Sequence, residues 1–154
     1  MKKLKLKSQS KSSGQIIVVL IIVLGLVGVG FWWLFSNKQE MAREGKAFAK
    51  EATQRIIQGD ANFFSSHLSP ASRMNFPPSV LQETFADITK RGAPVGPVDV
   101  QGDIKFQSQF FEPRGDFRAR INYQATYADI YLSISHPVGR WQIDDFRFLP
   151  QAER

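Results

Sequence analysis

The hydrophobic and polar positions of this chain fall into three regimes. From Ile16 to Phe35 there are twenty consecutive uncharged residues, fifteen of them Ile, Leu, Val or Phe. As a helix rising ~1.5 Å per residue, such a run covers about 30 Å, the hydrocarbon thickness of a bilayer. A second regime follows. Met41, Gly45, Phe48, Ala52 and Ile56 recur at helical period and define one apolar face. Asn37 to Glu40 reads as a capping box, so a fresh helix is expected to start there, with one helix continuous with the apolar run as the alternative. Gly59 is placed to end it. Asp60 is placed to cap a short helix reaching Leu68, and Ser69-Pro70 turns the chain. A third helix is expected from Ser79, carrying Val80, Leu81, Phe85 and Ile88 and stopped by Gly92, Pro94 and Pro97.

Beyond Pro97 the period changes to two. Val98, Val100, Ile104 and Phe106 suggest a strand, and Glu112 to Asp116 a hairpin loop. Phe117, Ala119, Ile121, Tyr123, Ala125 and Tyr127 alternate with Arg118, Arg120, Asn122, Gln124 and Thr126, which predicts one long half-buried strand. Ile130, Leu132 and Ile134 mark the next, and His136 to Gly139 a turn. In the last strand, Trp141 and Ile143 share one face by period two, and Phe146 and Phe148 the other. A bulge at Asp144-Asp145 would return all four to one core. Helices followed by about four antiparallel strands, with no βαβ alternation, give an α+β fold with helices on one face of a curved sheet.

Charge changes the picture at the N-terminus. Lys2, Lys3, Lys5, Lys7 and Lys11 precede the apolar run with no acid among them, which places the tail (1–14) in the cytoplasm, the span (15–36) in the cell membrane and residues 37–154 outside. Trp32 and Trp33 fit the outer interface. Gly28-Val29-Gly30 offers a small-x-small cleavage site. The bulky run Phe31 to Phe35 stands where a polar cleavage region belongs, so the span is expected to be kept as an anchor. Of twenty Lys and Arg residues, five sit in the tail, leaving fifteen against fourteen acids. The outer domain is near neutral, and nucleic acid is not an expected partner. Membrane lipid, through the helix, is.

Candidate chemistry is sparse. There is no cysteine, and the two histidines are far apart in sequence, so no thiol, disulfide or helical zinc motif arises. Neither a catalytic residue set, a metal site nor a cofactor is expected. Asp144 or Asp145 could point into a pocket at the bulge, against the plainer reading of a solvated pair, or of a salt bridge to Arg140 or Arg147. Arg118 and Arg120 share one side of their strand. They would favour an anionic ligand if that side lined a pocket, and form an ordinary polar face if it met solvent. Tyr123, Tyr127 and Phe117, on the other side, are expected in the core. Phe63-Phe64 and Phe110-Phe111 exceed what one alternating face needs and are candidates for a partner contact, or for core satellites under a loop.

The order of a long helix, "GDANFFSSHLSP", another helix, and a meander ending "YADIYLSISHPVGRWQIDDFRF" resembles the nuclear transport factor 2-like superfamily over about residues 39–149. The resemblance implies a cone, in which a bent sheet wraps around helices and leaves a pocket. It does not imply a reaction, because that superfamily hosts enzymes, assembly factors and binding modules. The expected function is a single-pass, membrane-anchored binding or interaction module meeting a membrane or envelope protein. The alternatives are a pocket enzyme using Asp144 or Asp145, and a minor pilin-like or secretion-assembly component. Ser12-Ser13-Gly14 before the apolar helix is reminiscent of a prepilin site, but the Glu expected after it is absent.

Overall fold

A computed structural model describes residues 13–107, 112–137 and 139–151. The chain divides into two compact units at Gln39/Glu40. Helix α1 runs without interruption from Ser13–Ile57. The helix start expected at Asn37 is therefore not present, and the continuous alternative holds. The physical reason is that nothing between Phe35 and Glu40 breaks a helix: there is no Pro or Gly, and Lys, Gln and Glu are good helix formers. In the first unit, every large apolar side chain from Ile16 to Phe35 except Leu34 is at least half exposed.

The second unit is α+β. The last turns of α1, α2 (Ala61–His67) and α3 (Pro78–Lys90) pack against one face of an open antiparallel sheet ordered β1-β2-β3-β4. The strands are β1 (Asp99–Phe106), β2 (Pro113–Asn122), β3 (Tyr127–Ser135) and β4 (Gln142–Gln151). Gly59 takes a positive φ of 79° after α1, where a side chain would be strained. Asp60 caps α2, its carboxylate accepting the Phe63 N–H at 3.0 Å. Pro77 and Pro78 set the start of α3. Leu81, Phe85 and Ile88 face the core. Val80, one residue out of phase, is 41% exposed, against expectation. Phe64 is the hub, fully buried with edge-on contacts to Phe76, Phe85 and Phe146.

Two strand boundaries differ from the sequence reading. The expected hairpin loop at Glu112–Asp116 is mostly strand, because β2 begins at Pro113 and Gly115 is paired with both neighbouring strands. Gly115 is there for packing: a Cβ on it would sit 2.5 Å from the Ile104 Cδ1 and 2.6 Å from the Phe117 ring. The long strand expected over Phe117–Tyr127 is two strands. Tyr123 N–H donates to the Thr126 carbonyl at 2.8 Å, closing a tight turn over Gln124-Ala125. The turn shifts the core-facing positions from odd (Phe117 to Tyr123) to even (Ala128 to Ile134), and the apolar Ala125 and Tyr127 continue the odd series past it and mask the shift. Ala125 is consequently exposed, and Tyr127 lies on the sheet's outer face rather than in the core.

The bulge in β4 is present. Ser133 pairs with Asp145 and Ile134 with Ile143, so Asp144 is the extra residue. Ile143 and Phe146 are buried, and Trp141 and Phe148 pack partly buried against the same core. Inner-face rows alternate large and small: Gly102 stands opposite Phe117, and Ile104 opposite Gly115. Helix α1 meets this layer at Gly45, where a Cβ would fall 2.6 Å from both Ile104 Cδ1 and the Trp141 ring.

Candidate functional site

Strand alternation places Arg118 and Arg120 on the outer face of β2, away from the core. Across the ladder Arg120 stands opposite Asp129 of β3, and Arg118 is diagonal to it. Arg118 donates to the Asp129 carboxylate at 3.0 Å and Arg120 donates through Nε at 3.1 Å. Each guanidinium also lies over a tyrosine of β3, Arg118 above Tyr131 at 5.5 Å and Arg120 above Tyr127 at 5.0 Å. The Asp129 side chain is only 7% exposed, although it faces outward, because the two half-exposed arginines cover it. Burial is the largest influence on that carboxyl and acts to raise its pKa. The hydrogen bonds from Arg120 and Arg118, with their charges, outweigh it and hold the group below the usual carboxylate range. Asp129 in turn raises Arg118 above its ordinary value, chiefly through the hydrogen bond.

These arginines line a shallow cleft of about 330 Å³ with Pro97, Asp99, Gln101 and Asn122. The cleft lining carries two guanidiniums, both paired with Asp129 beside it, and one carboxylate, Asp99, which accepts from Gln101 at 3.0 Å. Asp129 is the residue that sequence reasoning missed. Its signal was available: Arg-x-Arg on one face of a strand calls for an acid in the facing strand, and period two puts Asp129 of "YADIY" on that face.

Asp144 and Asp145 have separate positions. Asp144 is half-buried, and its backbone carbonyl accepts the Ser72 hydroxyl. Ser72 also shares a 2.7 Å hydrogen bond with the Ser69 hydroxyl, and Ser69 N–H donates to the Ile143 carbonyl at 2.9 Å. The segment after α2 therefore clamps the bulge through its main chain. Asp145 accepts the Phe146 N–H at 2.9 Å and the Arg147 Nε–H at 3.1 Å, with its side chain 46% exposed. This is the bridge to Arg147 that was the plainer reading. Asp144 lines a cleft of about 350 Å³ that also contains Ser135, His136 and the buried Gln142. The structure brings Arg118 together with Arg120, and neither with the two β4 aspartates, which lie in different clefts or on the edge.

A third depression, about 800 Å³, runs between α2 and α3, floored by Leu81 and Phe85 and ending at Lys90. His67 is half-buried and stacks on Phe63 at 4.1 Å, its Nδ1 2.8 Å from the Phe63 carbonyl oxygen. His136 packs against Trp141. Phe110 and Phe111 lie outside the described residues. Among the described residues no group of three or more His, Asp or Glu side chains converges as metal ligands. Trp32 and Trp33 are exposed on α1, 72% and 59%. Comparison with protein-family models, curated proteins and solved structures gives no significant match.

Proposed function

We propose that the chain is a single-pass protein of the cell membrane, with its lysine tail in the cytoplasm and residues from about 37 onward outside, acting as a binding or interaction module. The observation that carries this reading is the α1 segment Ile16–Phe35. It is long and apolar enough to cross a bilayer, and its side chains meet no protein. Fifteen aliphatic or Phe residues in that run, at roughly −0.3 to −0.6 kcal/mol each, favour insertion by several kcal/mol. The lysines on one side of it and the Trp pair on the other give the orientation.

For the outer domain we favour the nuclear transport factor 2-like architecture. Helices on one face of a four-stranded antiparallel meander, with a bulge in the last strand, support that kinship. The binding reading is supported by how the candidate polar residues are used. Arg118, Arg120 and Asp145 are engaged with one another's neighbours on the surface, and the inner face of the sheet is occupied by aliphatic and aromatic side chains. Anchoring confines such a module to two dimensions and raises its effective concentration toward a membrane or envelope protein partner.

The test is thiol labelling, since the native chain has no cysteine. Ser10→Cys and Ser79→Cys variants are treated in whole cells with a membrane-impermeant maleimide, and the mature N-terminus is read by mass spectrometry. Labelling at position 79 and protection at position 10 until lysis is expected, with the N-terminal segment retained. Labelling of 10 with protection of 79, or of neither, overturns the topology.

A further inference from the structure

The two edges of the sheet are finished differently. Gln107 N–H donates to the Glu112 carbonyl, so the odd-numbered residues of β1 face β2 and the even-numbered ones direct N–H and C=O outward. By the same alternation the outward residues of β4 include Phe146, Phe148 and Pro150. That edge is blocked at three points. Ser69 covers the Ile143 carbonyl, Asp145 occupies the Phe146 N–H, and Pro150 has no N–H to offer. On β1, the outward groups of Val100 and Gly102 have no such cover. The Ile104 N–H has a local partner, the Asp103 carboxylate, which is itself drawn to Lys46 at 2.8 Å.

The solvent-face side chains of β1 are, in order, Asp99, Gln101, Asp103 and Lys105. In an antiparallel pairing about a two-fold axis at Gly102, Asp99 of one chain stands opposite Lys105 of the other, and Gln101 opposite Asp103. On the inner face Val100 meets Ile104. Moving the axis one residue either way sets Asp99 against Asp103, or Asp103 against its own copy, which is repulsive. Gly102 at the axis carries no side chain to obstruct the approach. We propose that β1 is an interface edge, pairing in this register with β1 of a second copy to make one continuous sheet across two chains. The pairing adds reciprocal backbone hydrogen bonds at Gly102 and between Val100 and Ile104, where the Ile104 N–H exchanges the Asp103 carboxylate for the Val100 carbonyl of the second copy. It does not depend on the membrane reading.

The register gives the test. Positions 99 and 105 of opposing chains form a non-hydrogen-bonded pair, with Cα atoms ~4.5 Å apart, inside the range a disulfide spans. Within one chain they are about 20 Å apart and cannot bridge. The full chain carrying Asp99→Cys and Lys105→Cys, in detergent micelles under mild oxidation, is expected to form a covalent dimer on the order of a hundredfold faster than either single variant, whose thiols meet only by collision. Adding Val100→Pro removes an outward N–H without touching the β2 ladder, and is expected to abolish the cross-link with the circular dichroism unchanged. In the chain without introduced cysteines, Lys105→Glu is expected to lose the dimer by sedimentation, and Asp99→Lys together with Lys105→Glu to restore it. A double-cysteine variant no faster than the singles, or a folded Val100→Pro variant that still cross-links, overturns the proposal. So does a charge swap that fails to restore what the single reversal removed.

Discussion

Asp129→Asn is the sharpest probe of the outer-face cluster. The substitution keeps volume and removes charge, so it leaves packing intact and acts on the contacts to Arg118 and Arg120, which are 3.0 and 3.1 Å long in the native chain. Fully desolvated, two charge-assisted contacts would contribute several kcal/mol. Here the carboxylate is covered only by guanidiniums that are themselves half in water, so solvent screening cuts that figure to about 1–2 kcal/mol. The pH dependence has a definite sign. The Asp129 carboxyl is held below its ordinary value, so its contribution is present above the unfolded pKa of ~3.9 and disappears as pH falls through the folded value. Urea unfolding of the full chain in micelles, followed by circular dichroism, should show the native protein ahead by that margin at pH 7. The two should converge as pH falls through the folded value. Raising the salt concentration should narrow the gap at neutral pH. Equal stability at pH 7, or a gap that persists unchanged into acid, would refute the argument that the arginines stabilise this carboxylate.

Two further outcomes are expected. The Tyr123 hydroxyl is buried without a hydrogen-bond partner, and burial raises its pKa. Tyr123→Phe should therefore be neutral or slightly stabilising at pH 7. Because the folded-state pKa lies above the unfolded one, native stability is full below about pH 10 and is lost as pH rises through the folded value. The Phe variant should lack that alkaline loss, which spectrophotometric titration alongside urea unfolding would show. Asp60→Ala removes the side chain that accepts the Phe63 N–H and salt-bridges Arg55 at 3.3 Å. It should cost about 1 kcal/mol in the same unfolding assay, and an unchanged midpoint would mean that α2 is held by Phe64 alone.

The parts of the fold legible in the sequence are those where a local signal and burial agree. Asp60, Gly59 and the proline pair before α3 act where they stand, through capping and backbone restriction, and the structure places them accordingly. The β4 bulge was legible for a different reason. Four large apolar residues on two opposing faces cannot all be buried by a regular strand, so the pattern demanded one extra residue, and Asp144 is it. What was not legible depended on partners in other elements. Gly115 reads as a turn residue in isolation, and only the presence of Ile104 and Phe117 against it makes it a packing residue. The turn at Gln124-Ala125 has no Gly, Asn or Pro to announce it, and Ala125 and Tyr127 extend the odd apolar series past the point where the core face becomes even-numbered. The acid at position 129 could be expected from the Arg-x-Arg pattern, but its place between both arginines is set by the β2–β3 register.

The same bulge bears on what the two β4 aspartates do. An extra residue in an edge strand leaves its backbone short of ladder partners, and edge strands with unpaired backbone invite further pairing. The chain supplies Ser69 and Ser72 for the main chain of residues 143 and 144, and Asp145 supplies an acceptor for the next free N–H. Pro150 adds a further block by having no N–H at all. A carboxylate held by a backbone N–H and by Arg147 on an exposed edge is doing the work of an edge block, and the geometry needs no substrate to explain it. The opposite edge has one carboxylate block, Asp103 on the Ile104 N–H, and arranges its charges in a self-complementary order. The difference between the two edges is thus one of charge order as much as of blocking: only β1 presents a sequence of charges that matches its own reversed copy.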